Sequence, residues 1–160
     1  MSRVFETPNY LLESARELNL ADSEFRQLRP VEWRTVLSRV FDEFANTSNT
    51  NVLWLWDNLK RQGPSYNVED EFRHLVTLAE PKTRIWLLVE DSASVKRRGN
   101  YWVFAASYGS ALAVLENMHH IEYYLVEQHY QWIVMKNHHD VITVVGEPME
   151  SRVRAINVRA

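Results

Sequence analysis

The sequence predicts an α+β fold: N-terminal helices packed on a roughly five-stranded, mixed but mainly antiparallel C-terminal sheet with one inserted helix. Three observations carry that expectation. Apolar residues recur at helical spacing over residues 1–80. Beyond residue 81 they gather in runs of strand length. The last three of those runs are joined by loops short enough for hairpins.

The first half is read as follows. Pro8 sits where a first helical turn tolerates a missing amide, and Tyr10, Leu11, Leu12, Ala15 and Leu18 form one apolar stripe. ADSEFRQLRPVEWRTVLSRVFDEF restarts helically after Asp22. Pro30 is again a natural first-turn residue, followed at helical spacing by Trp33, Val36, Leu37, Val40, Phe41 and Phe44. ANTSNTN is turn chemistry. VLWLWDNLKRQGPSYN begins with strand-like alternation, but its continuation through Leu59 and the stop at Gly63-Pro64 predict a short helix. VEDEFRHLVTLAEP carries Phe72, Leu75, Val76 and Leu78 in helical register and ends before Pro81.

The period then changes. TRIWLLVED is the continuous apolar run of a strand covered on both faces. The polar loop SASVKRRGN leads to a second strand, YWVFAAS. SYGSALAVLENMHH returns to helical spacing through Ala111, Leu112, Val114, Leu115 and Met118, with Ser107 and Ser110 placed for N-capping. IEYYLV, QWIVMK and VITVVG, linked by EQHY and NHHD, form an antiparallel meander. If EQHY is a four-residue loop, Val126 faces Gln131 and Ile121 faces Lys136. The strand–helix–strand stretch ahead of the meander is long enough for a parallel crossover. EPMESRVRAINVRA is expected as a last short helix or a loose tail. The chain reads as one domain over 1–160, with a helical part at 1–80, a sheet part at 81–146 and a helix or tail at 147–160.

Composition narrows the function classes. The absence of cysteine removes a disulfide framework, thiolate zinc sites and a cysteine nucleophile, and it fits a reducing compartment. No segment approaches the roughly 18 apolar residues of a membrane span. Charged residues interrupt the N-terminus, so the expected location is the cytoplasm, with no membrane partner. Net charge is −3, divided as nine basic against thirteen acidic residues over 1–80 and nine against eight over 81–160. Neither half has the basic balance of a nucleic-acid binder, and Lys96-Arg97-Arg98 beside Tyr101 and Trp102 is too small a footprint to change that. No glycine-rich phosphate loop, G-x-S-x-G elbow or H-E-x-x-H helix is present. Six tryptophans and seven tyrosines point instead to an aromatic core or recognition surface.

The histidines need weighing. Adjacent histidines diverge on a strand or in a turn, so a pair alone chelates poorly. Folding the meander brings His119 and His120 alongside Asn137 and His138, with Glu122 and Asp140 near the same rim. Four imidazoles, His119, His120, His138 and His139, can then hold a divalent metal such as zinc, or serve general acid–base chemistry with the two carboxylates. The competing reading is structural, and it is the favoured one. Asn and Asp bracket turns because their side chains bond the local backbone, and His119 and His120 fall at a helix C-terminus that favours positive charge. Other candidates carry less. Glu71 and His74 have di-iron spacing but no second such pair. Glu90-Asp91 ends a strand, as surface acids commonly do. Trp54 and Trp56 read as core, and of Tyr123 and Tyr124 one reads as core and one as exposed.

The series IWLLVED, YWVF, EYYLV and QWIVMKNHHDVITVVG, over roughly residues 83–146, resembles a family of small uncharacterised bacterial domains with a tyrosine pair, a strand tryptophan and a paired-histidine turn. More loosely, helices followed by such a sheet resemble the immunity proteins that neutralise bacterial toxins. The resemblance implies a site at Tyr124, Trp132, Asn137, His138, His139 and Asp140. The leading expectation is therefore a non-enzymatic, cytoplasmic interaction domain without cofactor, which binds a protein partner such as a basic toxin. Aromatic richness and the acidic N-terminal half favour it. The alternative is a metal-dependent or acid–base enzyme on the histidine rim. A third expectation is a small-molecule site between the helices and the sheet.

Overall fold

The computed structural model describes residues 7–50, 54–68, 71–90, 101–118 and 121–159. The fold is α+β, with five helices and one seven-stranded sheet among these residues. In chain order the elements are α1 (Thr7–Glu17), β1 (Phe25–Gln27), α2 (Pro30–Phe44), β2 (Ser65–Asn67), α3 (Glu71–Leu78), β3 (Arg84–Glu90), β4 (Tyr101–Ser107), α4 (Tyr108–Glu116), β5 (Glu122–Glu127), β6 (Ile133–Lys136), β7 (Val141–Val145) and α5 (Met149–Arg159). A 3-10 turn at Leu55–Asp57 lies between α2 and β2. Pro30 opens α2 at its first turn, and Ser107 caps α4 by accepting a hydrogen bond from the Ser110 amide at 3.3 Å.

The sheet order is β1-β4-β3-β5-β6-β7-β2, and every pairing is antiparallel. The structure corrects four expectations. There are seven strands rather than five, because β1 and β2 add to the two edges from residues read as helix or turn. Each is only three residues long, and strand pairing rather than local alternation makes it a strand. The sheet is not mixed. β4 and β5 do run parallel to one another, with α4 crossing between them, but β3 lies between the two and is antiparallel to both. The helix expected after Val52 is limited to the 3-10 turn. The β5–β6 register is also offset from the expected one: Val126 faces Ile133 and Tyr123 faces Lys136, because the loop runs past Tyr130 at φ 61° to Trp132. A shift of two keeps each side chain on its expected face.

Both faces of the sheet are covered, which is why TRIWLLVED has no polar alternation. α1, α3, α4 and α5 pack on one face against Ile85, Leu87, Val89, Phe104, Tyr123, Leu125, Val134 and Val144. α2 packs on the other against Leu88, Val103, Tyr124, Val126, Ile133 and Met135. One helix is too narrow to cover that face alone. The connector from Ala45 to Leu59 completes it, with Leu55 fully buried and a bridge between Ala45 and Leu59 holding the loop's ends together.

The connector returns to the sheet edge through Gly63. There Val144 donates its amide to Pro64 O at 3.1 Å, and a Cβ at Gly63 would overlap the Val144 carbonyl. Gly63 is thus required by backbone approach rather than as a helix stop. Nearby, Arg61 and Glu150 tie the connector to α5, with Nη1 to Oε1 at 2.9 Å and a second contact between Nη2 and Oε2. Glu150 also accepts the Gly146 amide at 2.8 Å. Gly63→Ala should lower stability by at least about 2 kcal/mol, the range of overpacked cores. Urea unfolding would show this as a lower midpoint at unchanged slope.

Candidate functional site

The buried connector poses a local problem. Backbone amides withdrawn from water need acceptors, and the first amides of a helical turn have none within it. Three polar side chains from the adjacent ends of β3, β4 and β5 supply them. Trp54 N donates to Glu90 Oε1 at 2.5 Å, Leu55 N donates to the Tyr101 hydroxyl at 3.1 Å, and the Trp56 amide bonds the Tyr124 hydroxyl. Tyr124 in turn donates to Glu90 Oε2 at 2.8 Å.

This arrangement buries a carboxyl. Glu90 is 8% exposed, and Glu122 stands directly opposite it on β5, hydrogen-bonded to it. Burial, above all, together with the Glu122 carboxyl, pushes Glu90 up to about 8, against the downward pull of the Trp54 amide and Tyr124. The raised value favours the protonated form of Glu90 near neutral pH. Burial, followed by the charge of Glu90, raises the Tyr101 and Tyr124 hydroxyls well above the ordinary tyrosine range, so both stay neutral donors.

An aromatic surface lies over this pair. Glu122 Oε1 accepts the His138 amide at 2.8 Å and also contacts His138 Nδ1. The His138 ring lies 5.4 Å from Trp54 and 5.5 Å from Trp56, and the two indoles lie 5.9 Å apart. The His139 ring lies tilted against that of His138 at 4.0 Å and meets Trp56 edge-on at 6.0 Å. Trp54 is 41% exposed, while the Trp56 indole N–H is buried with no hydrogen-bond partner among the described residues. Trp54 also has φ 60°, a left-handed conformation costly to a bulky residue and held here by its contact with Glu90.

The implied site residues divide between this surface and other places. His138 and His139 form part of it, and Tyr124 lies beneath it, fully buried. Asn137 and Asp140 shape the NHHD turn: Asn137 Oδ1 accepts the amides of His139 at 2.9 Å and Val141 at 3.2 Å, and Asp140 sits at φ 56°. The structural reading of NHHD describes its backbone. Trp132 is elsewhere, 4% exposed in the helix-covered core and edge-on to Tyr108 at 6.2 Å. Tyr123 is buried as well as Tyr124, because both faces of the sheet are covered; its hydroxyl donates to Glu71 Oε1 at 2.8 Å, where Lys136 Nζ also bonds at 2.8 Å. Glu71 is thereby occupied, and His74 packs edge-on to Tyr66 at 5.6 Å.

His119 and His120, Asp91, and the Lys96-Arg97-Arg98 cluster lie outside the described residues. Among the described residues no group of three His, Asp or Glu side chains is placed to hold a metal ion. None of their helices is long and apolar enough to cross a membrane. A groove of about 260 Å³ at the end of α2, lined by Phe41, Asp42, Ala45, Thr47 and Lys60 among others, shares no residue with the Glu90 site. Sequence reasoning missed Glu90, Trp54 and Trp56 as a unit. The only available signal was an acid ending an apolar strand near the β3–β4 connection.

The raised value of Glu90 has a defined consequence for stability. The folded state binds this proton more tightly than the unfolded chain, so the contribution is complete below the ordinary carboxylate value of 4.5 and is lost as pH rises through about 8. Unfolding free energy should therefore decline across that window. Glu90→Gln, a permanently neutral isostere, should flatten the slope; an equal slope in both proteins would contradict the burial of a protonated Glu90.

No curated protein and no solved structure matches the sequence. A family model described as a family of unknown function, DUF6756, matches residues 10–157. With almost its whole length inside that match, the chain belongs to the DUF6756 family.

Proposed function

We propose that the protein is a recognition domain that binds a protein partner through the Trp54–Trp56–His138–His139 surface, in the manner of an immunity-type protein that blocks a toxin in the bacterial cytoplasm. One observation carries the reading: a 41% exposed tryptophan is held in a left-handed conformation by a buried carboxyl. A tryptophan left exposed for no reason needs neither. A rigid, half-exposed indole meets a partner with little ordering cost, and tryptophan is among the residues that dominate binding energy at interfaces. The adjoining acids set the partner's charge. Asp57 and Asp140, both exposed, directly follow Trp56 and His139 in the chain, and the first 80 residues carry thirteen acidic against nine basic side chains. A basic partner face, such as that of a nucleic-acid-cleaving toxin, complements them.

The raised Glu90 value favours a second reading, acid–base chemistry in which Glu90 gives its proton to a molecule stacked on Trp54 and Glu122 accepts one in return. In that case Glu90→Gln abolishes turnover while binding survives.

The test is quantitative recovery of partners from native cells on immobilised wild-type protein and on Trp54→Ala, followed by calorimetry with the purified partner. Trp54→Ala should weaken binding by about 2 kcal/mol, roughly 30-fold, while leaving fold stability within about 0.5 kcal/mol. Equal affinity of both proteins for every stoichiometric partner would reject the reading.

A further inference from the structure

The aromatic surface is built from two segments that are distant in sequence. Trp54 and Trp56 belong to the connector between α2 and β2, and His138 and His139 to the turn between β6 and β7. Beneath them the connection runs through side chains. Trp54 N bonds Glu90 on β3, Glu90 stands directly opposite Glu122 in the β3–β5 register with the two carboxyls close enough to share a hydrogen bond, and Glu122 bonds both the amide and the ring Nδ1 of His138. A hydrogen bond between two carboxyls needs one proton between them, and it fixes both groups relative to each other. We propose that the Glu90–Glu122 contact is a joint that orders the two halves of the recognition surface as one unit, with Glu90 the positioning residue for Trp54 and Glu122 the positioning residue for His138.

The proposal rests on reading this surface as the recognition site, but the joint itself is measurable without a partner. Its distinctive consequence is action at a distance. Glu122 sits on β5, and its hydrogen bonds go to His138 and Glu90, yet its removal should release Trp54. Likewise Glu90, which bonds Trp54 and Tyr124, should hold His138. Glutamine at position 90 keeps the joint, since its carbonyl accepts the Trp54 amide and its NH2 donates to Glu122, although the Tyr124 hydroxyl loses its acceptor on that side. Aspartate keeps the acid but is one methylene short, so it should fail as alanine does.

Amide hydrogen exchange read by NMR on the full chain decides this, with Leu125 at the centre of the sheet as the internal reference for global unfolding. In Glu122→Ala the Trp54 amide should exchange at least tenfold faster while Leu125 is unchanged. In Glu90→Asp both the Trp54 and His138 amides should do so, and Glu90→Gln should match the wild type. Should Glu90→Asp fail to fold, the contrast between Glu122→Ala and Glu90→Gln stands without it. Unchanged Trp54 exchange in Glu122→Ala overturns the joint. A Trp54 amide released by Glu122→Ala, in a protein whose partner binding ignores Trp54→Ala, keeps the joint and rejects the recognition reading.

Discussion

Backbone amides taken out of water must find acceptors, and the connector between α2 and β2 obliges this structure to supply them. A wide sheet face with a single helix on it leaves apolar area uncovered, and the connector fills the gap by burying Leu55. Its amides at 54, 55 and 56 then meet Glu90, Tyr101 and Tyr124, three polar groups at the ends of three adjacent strands. Everything unusual about this end of the molecule follows from that capping. Glu90 is buried because it caps, and that burial beside Glu122 favours its protonated form, the form that can donate to Glu122.

The same capping explains why tryptophan is exposed here. A turn whose amides point into the sheet directs side chains outward on one side, so Trp54 faces solvent while Leu55 goes inward. His138 arrives from the β6–β7 turn and packs tilted against Trp54 and edge-on against Trp56, its amide held by Glu122. Exposed aromatic area is thus gathered over a polar, fully bonded base.

The opposite face handles its polar groups differently. Tyr123, from the same tyrosine pair, donates to Glu71, and Lys136 neutralises that carboxylate directly. A cation compensates the acid there, whereas at Glu90 burial favours the protonated form. Two neighbouring tyrosines on one strand therefore serve two carboxyls, one on each side of the sheet.

Local chemistry made much of the fold legible. Helical spacing marked α1, α2, α3 and α4, the proline and serine caps marked the starts of α2 and α4, and the unbroken run in TRIWLLVED marked a strand buried on both faces. Asn137 made the NHHD turn readable, because an Asx side chain bonds the backbone within its own few residues. What the sequence could not determine was set by contacts between distant segments. The edge strands β1 and β2 exist only through their pairing partners, and the wide β5–β6 loop shifted a register that alternation alone leaves ambiguous by two. Only the tertiary structure decided that Trp54 faces solvent and Trp132 the core, and that the acid ending β3 is buried opposite Glu122. The physical reason is the same throughout: a residue's composition and spacing report its own element, whereas burial of a carboxyl depends on which amides, hydroxyls and acids other elements bring to it.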